Sequence, residues 1–329
     1  MKKRINRAIE FLLARGNLPI LFWLKKDILE VPVEREMKNL QKYAERIRIL
    51  EEQRPNGSWC EKKYTGHPAL EKTHSIVETL CNLFKLYDLG CLKKDKSIRK
   101  AVEYFFSTQS KEGDFRGVYI HEYAPTYHSL ILEIINLFGF QDAPEVERGF
   151  QWLMKNRQND GGWAIPYRTV ERTIFENRYN KTRPSKESTS PIKPDKSKPF
   201  SQGVTGMVLR ALAASPEWKK RKETIKAGEL LLSHFFKADH YSDQESAAGW
   251  TDLSYPFWGT NVLSGLDSFS KIGFSSENER IKPALQWLLR KQKPNGYWEA
   301  RFKNAELEDH LWITIAVLRM LKNFELIEV

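Results

Sequence analysis

Two kinds of helical stretch alternate along this chain. LQKYAERIRILEEQ, SIRKAVEYFFSTQ, VERGFQWLMKNRQ, ETIKAGELLLSHFF and ERIKPALQWLLRKQ carry apolar residues at i, i+3, i+4 intervals with charges between them. HSIVETLCNLFKLYDLG, HSLILEIINLFGF, GVTGMVLRALAAS, GTNVLSGLDSFSKIGF and HLWITIAVLRMLKNF are apolar around most of their circumference. The first pattern predicts an outer helix with one solvated face, the second an inner helix covered on all sides. Alternating strand patterns are scarce, so the predicted fold class is all-α.

A recurrent phrase joins the two kinds. QRPNGSW at 53–59 returns almost unchanged as QKPNGYW at 292–298. Gln109, Gly113 and Phe115 repeat the pattern, as do Gly161 and Trp163 with Gln158 one place late, and Gly249 and Trp250 preserve an eroded copy. The aromatics fall 56, 48, 87 and 48 residues apart. Self-similarity at this period predicts an array of supersecondary units. Pro and Asn-Gly end the outer helix and turn the chain, with Gly supplying a positive φ. The Gln amide is expected to satisfy backbone groups of a neighbouring helix while the aromatic ring covers the helix end. The long interval is explained by the Pro/Ser/Lys-rich stretch around 168–198, read as a loop inserted in one repeat.

Charge changes the picture little. The chain has 329 residues and a formal net charge of +11, but residues 168–198 hold nine Lys or Arg against four Asp or Glu. The remaining excess is dispersed over helix faces, which argues against a nucleic-acid surface and leaves the basic stretch as a docking site for an acidic partner. Three cysteines without a CxxC pair suggest a reducing compartment, and the expected location is cytoplasmic. The N-terminal MKKRINRAIEFLLARGNLPILFWLKK is interrupted by Arg15 and Lys25 and reads as two amphipathic helices rather than a leader. No run of eighteen apolar residues predicts a membrane span.

The Q-x3-G-x-W phrase resembles the repeat signature of the terpenoid cyclase and protein prenyltransferase superfamily, over about residues 40–325. The chain looks like a short prenyltransferase/squalene-oxidase-repeat protein, similar to one half of a squalene cyclase. The resemblance implies an (α/α) toroid of about five to six helical hairpins, with inner and outer layers around a central cavity. Residues 1–35 are then expected as helices packed on the toroid, and 36–329 as a single toroid domain with a basic inserted loop at about 168–200.

The signatures that the resemblance implies are incomplete. No D-x-D-D, whose carboxylic acid protonates an alkene in class II cyclases, is present, and no D-D-x-x-D. The prenyltransferase zinc stretch is matched by DLSYPFW at 252–258, with Ser254 in place of the thiolate, and His310 stands near the position of the zinc histidine. Asp252 and His310 alone form a weak ligand set, so zinc is disfavoured and no cofactor is expected.

Repeat alignment places His74 and His128 at equivalent inner-helix starts, with His310 two positions off that register. Glu78 and Glu133 lie within apolar helices where an unpaired carboxylate is costly. Asp252 joins them, so His74, His128, Glu78, Glu133, Asp252 and His310 are the candidate acid–base residues. The bland alternative has each histidine capping or packing its own helix. His67 and His121 are weaker candidates, and His234 and His240 read as structural or solvated. Tyr127, Tyr255, Phe257, Trp258 and Trp312 are the candidate ligand-binding wall. The leading expectation is a toroid that binds or transforms a hydrophobic isoprenoid-like small molecule. The alternatives are a carbohydrate-active lyase or hydrolase and a non-catalytic scaffold.

Overall fold

Helices pair as the hydrophobic pattern predicts, an amphipathic one followed by an apolar one. In this computed structural model all residues are described except 65, 67, 120–121, 171–189, 242–246, 303 and 328–329. The pairs are α4 (Ala44–Glu51) with α5 (Pro68–Asp88), and α6 (Lys96–Thr108) with α7 (Pro125–Leu137). Next come α8 (Pro144–Lys155) with α10 (Gln202–Ala214), the short α9 (Pro166–Thr169) lying between them. Then α11 (Lys222–Leu232) pairs with α12 (Val262–Lys271), and α13 (Ile281–Arg290) with α14 (Leu307–Asn323). Much of the expected insertion, 171–189, falls outside the described residues.

The inner helices are held by burial. Every residue of α7 from His128 to Asn136 is buried, as is α10 from Gln202 to Ala213. Their starts are fixed locally. Pro125 occupies the first turn of α7, where a missing N–H costs nothing, and Asn261 and Ser264 form a capping box at the start of α12. Inner helices pack in the order α5, α7, α10, α12, α14.

Residues 1–35 close the circle. α1 (Lys2–Arg15) buries Ile5, Ala8 and Leu12 on one stripe, and α2 (Leu18–Trp23) runs on through a π turn at Leu24–Ile28, ahead of the short α3 (Glu34–Leu40). α2 and the π turn pack on α14. On their other side, Trp23 Nε1 donates to the carbonyl of Asp88 at 2.7 Å, and its ring stacks on Tyr87 at 5.2 Å. α1 and α2 thus form a sixth hairpin between the fifth and the first, and the fold is an all-α (α/α) toroid.

The repeated phrase staples successive outer helices. Gln53 Nε2 donates to the carbonyls of Gly57 and Ser97, both at 2.9 Å; Gln109 reaches Gly113 and Glu145 in the same way. Gln292 reaches Gly296 and Arg4, so the last phrase grips the first helix of the chain. Gln158 instead holds the returning end of the inserted stretch, at the carbonyls of Asp195 and Lys198. The glycine permits the approach. At Gly57, φ is +90° and a Cβ would stand 2.2 Å from the carbonyl oxygen of Lys100. Trp59, Trp163 and Trp298 each return their indole N–H to the preceding outer helix, at Ile49, Leu153 and Leu288. Their backbone N–H groups go to the following inner helix, at the hydroxyls of Thr79, Thr205 and Thr314.

Candidate functional site

The loop before α12 defines the middle of the ring. Tyr255 stacks on Trp312 of α14 with centroids 5.4 Å apart, and its phenol donates to Asp88 Oδ1 of α5 at 2.8 Å. The Arg210 guanidinium of α10 sits 5.6 Å from the Phe257 ring, and Trp258 packs edge-on against Phe84 of α5. α5, α10 and α14 alternate around the ring, so one short segment touches all three only by crossing the lumen. Tyr255, Phe257, Trp258 and Trp312 of the expected ligand wall are therefore brought together, Tyr255 and Phe257 being 5.4 Å apart. Tyr127 stands apart from them, edge-on to Tyr119, which in turn meets Tyr167.

Asp88 is a buried acid beside this segment. It is 8% exposed, and burial raises its pKa from 3.8 to about 7, against the opposing effects of Arg319 and the Tyr255 hydrogen bond. Burial likewise pushes the Tyr255 phenol well above its ordinary value, with the Asp88 charge acting in the same direction. Arg319 completes the group from α14. Its Nε donates to Asp27 Oδ2 at 2.7 Å and its guanidinium lies 4.6 Å from the Trp23 ring. Among the described residues, Nη2 of Arg319 is buried without a hydrogen-bond partner. Asp88 shares a helical stripe with His74, Glu78, Cys81 and Lys85, at the i+4, i+7, i+11 spacing of one face. That polar stripe on an otherwise apolar helix was the readable signal for Asp88. A lone arginine in GVTGMVLRALAA was the signal for Arg210.

The expected acid–base residues are dispersed. His128 has 0% exposure, accepts from the Phe115 N–H through Nδ1 at 3.1 Å, and bonds the Gly149 carbonyl through Nε2 at 3.0 Å. It does in its repeat what Thr79, Thr205 and Thr314 do in theirs. Burial lowers its pKa to about 4, which keeps the ring neutral. Both ring nitrogens are committed to backbone groups. Glu133 pairs with Arg210 through Oε2 at 2.9 Å, and Arg210 Nη1 also donates to the Gly259 carbonyl at 3.1 Å. His74 stacks on Tyr64, and Glu78 is half-buried one turn along α5. His310 accepts from the Ala300 N–H and stacks on Tyr297, while Asp252 is exposed. His234 accepts or donates at Ser233, and His240 is exposed. His67 and His121 lie outside the described residues. No group of three or more His, Cys, Asp or Glu that could hold a metal occurs among the described residues.

Residues 67–191 match the squalene-hopene cyclase C-terminal domain. Over that stretch the terpenoid cyclase resemblance holds. No curated protein matches the chain. Among solved structures, a ligand-free tyrosine-to-phenylalanine variant of the type II terpene cyclase MstE from Scytonema is 13% identical, with TM-score 0.48 over 98% of this chain and 96% of that one. An arginine-to-alanine variant of the same enzyme, in complex with geranylgeranyl dihydroxybenzoate, is 13% identical, with TM-score 0.49 over 99% and 98%. A protein from Actinoplanes is 13% identical, with TM-score 0.32 over 88% and 99%. No helix among the described residues is long and apolar enough to cross a membrane. The acidic partner expected at the basic stretch would meet residues that are largely outside those described.

Proposed function

We propose that the lumen binds a hydrophobic isoprenoid-like molecule and that Asp88 acts on it as a carboxylic acid. The observation that carries this reading is the placement of Asp88, a buried carboxyl with a pKa raised to about 7, in a lumen lined by Phe84 and Trp312 and crossed by Tyr255 and Phe257. An acid held protonated near neutral pH has the poise that general acid catalysis requires. The Asp88 O–H would give its proton to one carbon of an alkene. A C–H bond forms as the π bond breaks, the O–H electron pair stays on the carboxylate, and the neighbouring carbon becomes cationic. Aromatic faces then supply the attraction that such a cation needs, about 0.5–2 kcal/mol each. Asp88 thereby fills the chemical role of the absent D-x-D-D acid.

The carbohydrate reading has less to stand on, because His128 and Glu133 are engaged in structural bonds. The test is incubation with squalene, a polyprenol or a prenyl diphosphate in deuterated water. Deuterium in a cyclised or isomerised product, lost in Asp88→Asn, is the expected result. If none of these molecules raises the melting temperature and none is turned over, the reading fails.

A further inference from the structure

The segment 253–259 occupies the space in front of the acid rather than bordering it. Tyr255 takes Asp88 Oδ1 and its ring lies flat on Trp312, 12° from parallel. Phe257 and Trp258 reach two other walls of the same lumen. Any apolar molecule lying against Trp312 with an alkene at Asp88 would need the volume that Tyr255 fills.

The attachment of this segment is light. Its two ends are pinned by backbone and side-chain bonds: Arg301 N–H to the Leu253 carbonyl at 2.8 Å, Asn261 Nδ2 to the Asp252 carbonyl at 3.0 Å, and Arg210 to the Gly259 carbonyl. Between these pins, Trp258 is 40% exposed, Tyr255 and Phe257 are only half-buried, and a Cβ at Gly259 would meet nothing within 4 Å. By contrast α10 is buried from Gln202 to Ala213 and α12 from Val262 to Ser270. Few buried contacts and few backbone bonds are what allow a segment to open locally while its surroundings stay folded.

We propose that residues 253–259 are a gate, which covers Asp88 and swings out between its pinned ends to admit the ligand. The inference rests on the reading of Asp88 as the working acid, and it adds the step that exposes it. An entering apolar molecule replaces the contacts that the gate gives up, ring for ring against Trp312 and Phe84, so opening and binding are exchanged rather than added.

Hydrogen exchange on the full-length protein tests the gate without any ligand. Peptides covering 252–261 are expected to exchange through a local opening, at least about a hundredfold faster than α10 and α14 and unaffected by mild urea. Tyr255→Phe, which keeps the ring and removes only the bond to Asp88, should speed that opening about tenfold. Trp258→Ala, at an exposed side chain, is a second variant and should speed it as well. Exchange of the segment only at the rate of the inner helices, in the wild type and both variants, overturns the gate. Local opening without turnover of any isoprenoid removes the Asp88 reading and leaves the gate standing. Turnover with a segment that never opens does the reverse.

Discussion

The Tyr255 phenol lies 2.8 Å from Asp88 Oδ1, a residue 167 positions earlier in the chain. One partner ends the first inner helix and the other sits in the loop before α12, so the bond exists only because the hairpins curl into a ring. It joins a carboxyl whose pKa burial raises to about 7 to a phenol that burial pushes well above its ordinary value. Two groups that would repel as anions are thereby a neutral, hydrogen-bonded pair below about pH 7.

Asp88 should leave its mark on stability as a function of pH. Its folded-state pKa, about 7, lies above the ordinary 3.8, so between those values the native state keeps a proton that the unfolded chain has released. Stability is therefore highest below about pH 4, falls as pH rises toward 7, and carries the full cost above that. The cost is of the order of a few kcal/mol, at most about 4. Asp88→Asn should remove it. Urea unfolding at pH 5 and pH 8 measures the effect, and wild-type and variant curves that shift in parallel would exclude it.

His128 titrates with the opposite sign. Its folded-state pKa of about 4 lies below the ordinary 6.5, so the unfolded chain takes up a proton that the native state refuses. Its contribution to stability is complete above about pH 6.5 and is lost as pH falls toward 4. His128→Ala should cost about 2–4 kcal/mol at pH 7, from the unpaired Phe115 N–H and the cavity left beside Trp152, and less at pH 5. Thermal unfolding across that range reads the difference; a constant cost would mean that the imidazole is not held neutral.

These two residues also mark what was legible in the amino-acid order. The turn phrase was legible because its function is local: Gln, Gly and Trp act within a few residues and across one neighbouring helix. The pairing of amphipathic with apolar helices was legible for the same reason. What spacing could not carry was rotation. His74 and His128 align as sequence, yet His128 turns outward to do the work of Thr79, while the stripe of His74 leads down α5 to Asp88. Nor could spacing show that α1 and α2 fill the gap between α14 and α5, because the bonds that place them, such as Gln292 to Arg4, span almost the whole chain.

Glu133 and Arg210 form the most buried ion pair described here, 9% and 4% exposed. Removing one member strands the other charge between inner helices. Glu133→Ala should cost about 3–5 kcal/mol, whereas replacing both residues with methionine should recover most of that loss. A double-mutant cycle by urea unfolding gives the coupling. If the single and double replacements cost the same, water rather than the partner is solvating Arg210.

Closure of the ring can be tested at one glycine. Gly296 has φ +111°, and a Cβ there would stand 2.4 Å from the carbonyl oxygen of Arg7, in the middle of α1. Gly273 has φ +88° but open space around it, so it reports the backbone strain alone. Gly273→Ala should cost about 1 kcal/mol, and Gly296→Ala about 2–4 kcal/mol, because the clash adds to the strain. The larger loss should be accompanied by faster proteolytic cleavage within residues 1–17, since the contact that is broken holds α1 against the last phrase. Equal costs at the two glycines, with α1 no more open to protease, would mean that the first helix does not close the wheel.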